Sequence, residues 1–219
     1  MEVLSSSHHA RMSETTAGGW LTEGIGGLAA VVLSILALVG VLPAVLAPIA
    51  AIIIGVALMI GAGTTAAQFS TVMTGRPEVM ADADTMAGSE TAGEVMFGIA
   101  GIVLGIIALI GGPTTLNLLA ITVIIFGAGI LLSSGRTSRL AAFVGRRAAT
   151  GAVVRDVMPR AASAGFEVLV GAGAIVLGIL AVNRTDTATM VYVGLLSCAA
   201  AIMATGASFW SRVFGPASR

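Results

Sequence analysis

The sequence predicts an all-α membrane protein with six transmembrane helices, arranged as three tandem helical hairpins related by a pseudo-threefold axis. The first observation behind this prediction is composition. Of the 219 residues, 57% are hydrophobic and only 10% are charged, whereas a soluble domain carries about 25% charged residues. The second observation is repetition, because the apolar stretch that starts at Glu94 has counterparts that start at Glu23 and Glu167.

The three stretches align without gaps, and the same residue occurs in all of them at six positions. In order, these are Glu23/Glu94/Glu167, Gly27/Gly98/Gly171, Val32/Val103/Val176, Leu33/Leu104/Leu177, Ile35/Ile106/Ile179 and Ala37/Ala108/Ala181. Apolar segments share Leu and Ile by chance, but composition does not explain a Glu at one register in three such segments. We therefore interpret the chain as a threefold internal repeat.

Six apolar segments of about 20 residues follow one another, and each can cross a hydrocarbon core of about 30 Å as a helix. They cover residues 20–41, 46–65, 92–111, 115–134, 163–182 and 188–209. None shows the alternation that is typical of strands, and in lipid a helix satisfies its own backbone polar groups. We therefore expect six transmembrane helices.

The links between these segments alternate in length, which groups the helices into pairs. The short links contain Gly40 and Pro43, Gly111 to Pro113, and residues 183–186. Gly ends a helix readily, and Pro is tolerated in the first turn of the next. The predicted units are a flexible N-terminal tail (1–19), hairpin 1 (20–65), a linker (66–91), hairpin 2 (92–134), a basic linker (135–162), hairpin 3 (163–209) and a C-terminal tail (210–219).

The placement of arginine predicts the orientation in the membrane. All eleven basic residues are Arg, and all except Arg184 lie in the tails or the two long linkers. By the positive-inside rule, the two linkers and both termini face the cytoplasm. For the basic linker 135–162, two interpretations stay open, namely a short helix on the membrane surface and a solvated connection.

Small residues follow each repeated Glu at spacings that keep to one face of a helix. Four residues after the Glu are Gly27, Gly98 and Gly171, and eleven residues after it are Ser34, Gly105 and Gly178. Such stripes let helix backbones approach closely in lipid. We therefore expect these six residues to pack helices together. We also expect the Glu side chains to face protein, with the odd-numbered helices lining a shared interior.

The repeated Glu23, Glu94 and Glu167 have two interpretations. A carboxylate inside a helix bundle is costly and indicates a proton or ion site, and several carboxylates together would share a proton or a cation. Alternatively, each Glu stabilises the first turn of its helix through the macrodipole. Residues 91–94, Thr-Ala-Gly-Glu, match a capping box and support this structural interpretation.

The sequence contains no arrangement that predicts catalysis. No predicted span contains His, and no His/Cys/Asp spacing or phosphate-binding loop is present. The neighbouring His8 and His9 point in different directions on a helix and make a poor metal site. We therefore expect a non-enzymatic protein without metal or cofactor. Because the net charge is zero, we expect no nucleic-acid partner. The expected partners are the lipid bilayer and either a second copy or another subunit of a membrane complex.

The second repeat carries a resemblance to a known family. It contains Gly98, Gly105 followed by Ile-Ile-Ala-Leu, Pro113, and the run Phe126-Gly-Ala-Gly-Ile-Leu131. This pattern resembles the short repeats of the HdeD-like family of bacterial acid-resistance membrane proteins. The resemblance implies six spans in three hairpins, a location in the bacterial inner membrane, and a role in acid stress, envelope stress or membrane maintenance.

Two other functions are kept beside this one. The chain could serve as a proton or cation channel or transporter that uses Glu23, Glu94 and Glu167. It could instead be a structural subunit that packs against partners through its small-residue faces.

Overall fold

The computed structural model describes residues 24–73, 80–112, 114–147, 154–183 and 186–213, and side chains at 24–63, 92–112, 114–134, 165–183 and 186–205. This part of the chain forms six helices and no strand. They are α1 (Gly24–Leu38), α2 (Pro43–Met73), α3 (Met80–Ile110), α4 (Thr115–Arg147), α5 (Val154–Asn183) and α6 (Thr187–Val213).

Five of the helices are long and apolar enough to cross a membrane. The candidate spans are Pro43–Gly63, Ala92–Ile110, Thr115–Ser134, Gly165–Asn183 and Thr187–Thr205. The described part of α1 is also apolar but shorter, and the start of its predicted span, at residues 20–23, lies outside the described residues. The prediction of an all-helical protein of the membrane type is therefore confirmed.

The three even-numbered helices form the centre of the bundle. Helices α2, α4 and α6 pack against one another, while α3 packs on α2 and α4, and α5 packs on α4 and α6. The expectation that the odd-numbered helices line a shared interior was therefore wrong. The small-residue stripes of the odd helices do become buried, but the surface that covers them is an even-numbered helix.

Each inner helix buries one residue at every turn along a single face. The spacing is four, three and four, which keeps one face of an α-helix. The residues are Ala47, Ala51, Ile54 and Leu58 in α2; Leu119, Val123, Phe126 and Ile130 in α4; and Val191, Leu195, Cys198 and Ile202 in α6, all exposed by 4% or less. They belong to one hydrophobic cluster, so the core lies between the inner helices.

Two helix crossings between neighbouring hairpins are made by pairs of glycines. A Cβ atom added at Gly98 in α3 would lie 2.8 Å from the carbonyl oxygen of Gly55 in α2, and one added at Gly55 would lie 2.7 Å from that of Gly98. Gly127 in α4 and Gly171 in α5 make the same reciprocal contact, at 2.7 and 2.8 Å. Only glycine allows the backbones to approach this closely.

Helix α1 closes the bundle by packing against α6. A Cβ atom at Gly27 would lie 2.7 Å from the backbone nitrogen of Met203 in α6. On its other side, α1 lies against its hairpin partner α2, where a Cβ atom at Gly26 would be 3.7 Å from the Cβ of Ala57. Among the described helices, the first and the last are therefore neighbours.

Glycines in the short links end the preceding helices, as the sequence predicts. The amide of Gly40 donates to the carbonyl of Ala37, and the amide of Val41 donates to that of Leu36. This is a Schellman arrangement, with Gly40 in the left-handed region at a φ of 91°. Gly111 and Gly112 also have positive φ, at 90° and 152°, and lie between α3 and α4.

The helices extend beyond the predicted spans into the two long linkers. Helix α2 continues to Met73 and α4 to Arg147, while α3 begins at Met80 and α5 at Val154. In α2 this extension has a simple cause, because residues 66–73 contain neither Gly nor Pro, and Gly75 and Pro77 follow only afterwards. These four helices are therefore longer than the predicted spans and include part of both linkers. Both interpretations of 135–162 stay predictions.

Candidate functional site

Two of the three repeated carboxylates lie inside the bundle at the same end. Glu94 is near the start of the span Ala92–Ile110, and Glu167 is near the start of Gly165–Asn183. Their side chains are only 6% and 7% exposed. We call this end of the bundle the Glu end and the opposite end the short-loop end. Glu23 lies outside the described residues, directly before the first residue of α1.

The negative charge of Glu94 acts on the Glu167 carboxyl group, as a smaller effect than the burial of Glu167 itself. Helices α3 and α5 both pack on α4, so α4 connects the two helices that carry these residues. The two carboxylates come from different helices and different repeats. The bundle therefore brings together two acidic groups that are far apart in the sequence, and like charges in one site repel.

The Glu end of α4 offers small polar side chains at the level of this pair. A Cβ atom at Gly93, next to Glu94, would lie 3.8 Å from Cδ1 of Leu132, so the carboxylate is level with the last turn of the α4 span. Ser134, in that turn, is 1% exposed, and its hydroxyl donates to the carbonyl of Leu131 at 2.7 Å.

Glu94 and Glu167 do not lie in the first turn of a helix, which is the position that the structural interpretation assumed. Only the first four amides of a helix lack a partner within it, and the macrodipole acts within the first turn. Helix α3 begins at Met80 and α5 at Val154, so both Glu residues lie several turns inside their helices. Neither residue is therefore at a helix cap or in a first turn.

The six small residues named from the sequence lie in helix contacts or are buried. Gly98, Gly171 and Gly27 are at the crossings described above. A Cβ atom at Gly105 would be 3.2 Å from the carbonyl oxygen of Pro48, and one at Gly178 would be 2.9 Å from that of Ala120. Ser34 is 0% exposed. These residues build the scaffold that holds the two carboxylates.

Two features of this scaffold were missed in the sequence. The ring of Phe126 packs directly over Gly101, where a Cβ atom would overlap it. The second feature is the hydroxyl of Ser34, which is buried without a hydrogen-bond partner. A signal for it was present, because Ser34 stands at the register where α3 and α5 have Gly105 and Gly178.

Two carboxylates whose charges interact inside a bundle titrate together, and such a pair can take up a proton or a cation. Among the described residues, no group of three or more His, Cys, Asp or Glu side chains could hold a metal ion.

The fold and the carboxylate pair define a helical protein of the membrane-spanning type. Comparison with protein-family models, with curated proteins and with solved structures found no match to this chain. The HdeD-like resemblance therefore stays a prediction, and the function has to be argued from the site itself.

Proposed function

We propose that this protein is a non-enzymatic membrane protein that transports protons or cations, and that Glu94 and Glu167 form the binding site of the pathway at one end of a six-helix bundle. The observation that carries the proposal is the burial of two carboxylates, 6% and 7% exposed, within electrostatic reach of each other. Burying one charge in an apolar span is costly, and burying two like charges together is more so. A site with this cost indicates a use for the carboxylates.

The position of the pair inside α3 and α5 supports a functional role over a structural one. A Glu in the first turn of a helix contributes about 0.3–1 kcal/mol to stability, but neither carboxylate is in that position. The two acidic groups lie at the boundary between the apolar spans and the helical extensions. Groups at such a boundary can exchange a proton or a cation with water at that end of the bundle.

Proton flux into liposomes tests this proposal. The purified protein is reconstituted, a pH gradient is imposed, and a dye inside the vesicles reports acidification. The comparison is between the wild type and the triple variant Glu23→Gln/Glu94→Gln/Glu167→Gln. The expected result is flux in the wild type and its loss in the triple variant, because an amide cannot carry the carboxylate's proton.

The matched control is Asp186→Asn, which removes an exposed carboxylate at the short-loop end. This variant is expected to keep the wild-type flux. Each variant is checked by size-exclusion chromatography so that unfolded protein is not mistaken for inactive protein. Replacing the proton gradient by a K⁺ or Na⁺ gradient distinguishes a cation site from a proton site. Absence of every flux in the folded wild type would contradict the proposal.

The HdeD-like type, with a role in acid or envelope stress, is the second candidate function. It is favoured by the positions of the residues that carry the resemblance, since Gly98, Gly105 and Gly127 are all at close helix contacts. Glycines at such contacts are evidence for a shared way of packing helices, and they are weaker evidence for a shared activity. Deletion of the gene in its host, followed by growth at low pH, tests this candidate, and a survival defect that the wild-type gene restores is the expected result.

We also propose that the three hairpins are repeats around a pseudo-threefold axis. The proposal is supported by the equivalent crossings of Gly98 on α2, Gly171 on α4 and Gly27 on α6. The arginine distribution supports a location in the bacterial inner membrane, with the Glu end and both termini in the cytoplasm. Reporter fusions to the C-terminus test this orientation, and a fusion active only outside the cytoplasm would contradict it.

A further inference from the structure

Ser134 lies on the face of α4 that packs against α5. The contacts between these two helices advance by equal steps in opposite directions. A Cβ atom at Gly178 would lie 2.9 Å from the carbonyl oxygen of Ala120, and one at Gly171 would lie 2.8 Å from that of Gly127. Seven residues towards the start of α5 therefore correspond to seven residues towards the end of α4.

The same register places Glu167 beside Ser134. Glu167 precedes Gly171 by four residues, and a Cβ atom at Gly171 would also lie 3.1 Å from the backbone nitrogen of Leu131. Ser134 follows Leu131 by three residues, which is the next position on the same face of α4. Both side chains are buried, with Glu167 7% and Ser134 1% exposed. The two residues therefore belong to one contact between α4 and α5 at the Glu end.

The hydroxyl proton of Ser134 is already in a hydrogen bond. It is donated to the carbonyl of Leu131 at 2.7 Å, so the oxygen presents only its lone pairs to other groups. A lone pair beside an ionised carboxylate is repelled, whereas a lone pair beside a protonated carboxyl accepts its hydrogen bond. A cation between the two groups would be held in the same way, because oxygen atoms are the ligands of hard cations. The Ser134 oxygen therefore favours the loaded form of Glu167 over the ionised, unloaded form.

The equivalent position on α2 carries a methyl group in place of the hydroxyl. Gly55 makes the same reciprocal glycine contact with α3 that Gly127 makes with α5. Ala62 follows Gly55 by seven residues, as Ser134 follows Gly127. Ala62 is 0% exposed, so it has the same place in the packing, but its side chain has no oxygen. The hydroxyl is therefore a feature of the Glu167 side of the carboxylate pair.

We propose that Ser134 is a ligand of the proposed site. Its oxygen accepts the hydrogen bond of Glu167 when that carboxyl carries a proton, or coordinates a cation that Glu167 holds, and so stabilises the loaded state. The chemistry is the same for both, since a positive centre is bound between a carboxylate and a hydroxyl oxygen. The role of Ser134 in transport rests on the proposed function, whereas its contact with Glu167 is tested without any measurement of flux.

Infrared difference spectra between alkaline and acidic pH test this contact in the reconstituted protein. The background is Glu94→Gln, and the carbonyl band of protonated Glu167 is assigned by its loss in Glu94→Gln/Glu167→Gln. A carboxyl that donates a hydrogen bond absorbs at a lower wavenumber than one that does not. Ser134→Ala is therefore expected to shift the band to a higher wavenumber, and Ser134→Thr, which keeps the hydroxyl, to restore it.

The matched control is Ala62→Ser combined with Ser134→Ala, which moves the hydroxyl to the equivalent position on α2. This variant is expected to keep the shifted band, because the hydroxyl is no longer beside Glu167. A band that Ser134→Ala leaves in place, or that the control restores, would overturn the contact. Spectra at alkaline pH with and without Na⁺ or K⁺ distinguish the two ligands, since only a bound cation changes the carboxylate bands, and Ser134→Ala should abolish that change.

Flux into liposomes then tests the role of Ser134 in transport. At alkaline pH, where few sites are loaded, Ser134→Ala alone is expected to lower the flux about five- to tenfold, the effect of one lost hydrogen bond. Ser134→Thr is expected to restore most of it. A shifted band with unchanged flux would overturn the role of Ser134 in the pathway. Absence of flux in the wild type would instead contradict the proposed function, and the infrared result would still decide the contact. Size-exclusion chromatography of each variant excludes unfolding as the cause of lost flux.

Discussion

At the scale of single residues, the buried hydroxyl groups differ in whether they have a hydrogen-bond partner. Thr122 is fully buried, and its hydroxyl donates to the carbonyl of Leu118 at 2.9 Å. Ser134 is satisfied in the same way by Leu131. These hydroxyls use a carbonyl of their own helix, which is the usual solution in an apolar environment. Ser34 is equally buried but has no such bond.

Ser34→Ala is expected to raise the stability of the bundle by about 1 kcal/mol, because it removes a polar group whose hydrogen bond is unmade. Ser197→Ala is the matched control, since the hydroxyl of Ser197 donates to the carbonyl of Val193 at 2.8 Å. The control is expected to leave stability unchanged or to lower it. Thermal unfolding in detergent, followed by circular dichroism, measures both. Equal losses in the two variants would contradict the distinction.

Glu167→Gln is expected to stabilise the folded bundle by about 1 kcal/mol, because it removes one buried charge and its repulsion by Glu94. A capping Glu would behave in the opposite way, with its replacement lowering stability. The measurement is the unfolding temperature of the purified variant at alkaline pH, where the carboxylate carries its charge. Asp186→Asn, at an exposed position, serves as the control for a change of net charge and should have little effect.

At the scale of helices, the crossings depend on glycines that face the backbone of another helix. Not every glycine of a helix does so. A Cβ atom at Gly171 would lie 2.8 Å from the carbonyl oxygen of Gly127, while nothing lies within 4 Å of one at Gly173. Both residues belong to α5, two positions apart. The sequence placed Gly171, but not Gly173, on the closely packed face, and the distances to α4 differ in the same way.

Gly171→Ala is therefore expected to destabilise the bundle by about 1–3 kcal/mol through overpacking. Gly173→Ala should be neutral or stabilise it by up to about 1 kcal/mol, because alanine favours the helix and meets no neighbour. The unfolding temperatures of the two variants, measured side by side, check this contrast. A Gly171→Ala variant as stable as Gly173→Ala would show that α4 and α5 do not cross closely at this point.

The link between α1 and α2 gives a second contrast at this scale. Gly40→Ala places a Cβ on a residue with a φ of 91° and is expected to cost about 1 kcal/mol. Leu42→Gly removes a Cβ from a residue with a φ of 43° and is expected to gain a similar amount. The same unfolding assay compares them. If the two substitutions shifted the unfolding temperature in the same direction, the described geometry of this link would be contradicted.

At the scale of the whole molecule, the bundle has three inner helices and outer helices that pack on them. The inner helices α2, α4 and α6 hold the core, while the outer helices carry most of the exposed large apolar side chains, such as Met96, Ile110 and Leu169. In a membrane, these side chains face lipid at no cost. The contact of α1 with α6 brings the first and last described helices together. The outer helix α1 therefore completes the ring of helices around the core.

A circular permutant tests this closure. Joining residue 219 to residue 1 and opening the chain at Gly75 leaves every hairpin intact and only changes which linker is cut. Because α1 already packs on α6, the permutant is expected to fold, with an unfolding temperature within about 4 °C of the parent, the shift that about 1 kcal/mol produces at this size. A permutant that accumulates only as aggregate would argue against the contact between α1 and α6.

Much of the architecture could be predicted from local sequence signals. The apolar segments, the short links with Gly40 and Gly111, and the small residues at the helix contacts all follow from rules that act within one helix or turn. The positions of the helix ends in the long linkers were predicted less accurately. Helix α3 begins at Met80, so a motif that resembles a capping box at Thr91 lies in the interior of a helix.

The sequence by itself determined that the protein is helical, which segments are apolar enough to span a membrane, and which face of each odd helix is closely packed. Only the tertiary structure decided which helices are central and that Glu94 and Glu167 come together. The physical reason is that a stripe of small residues marks a face but not the neighbour that covers it. Lipid and protein interior are similarly apolar, so burial alone does not order helices within a membrane. That order depends on backbone contacts such as those of Gly55 and Gly127, which form only when distant segments meet.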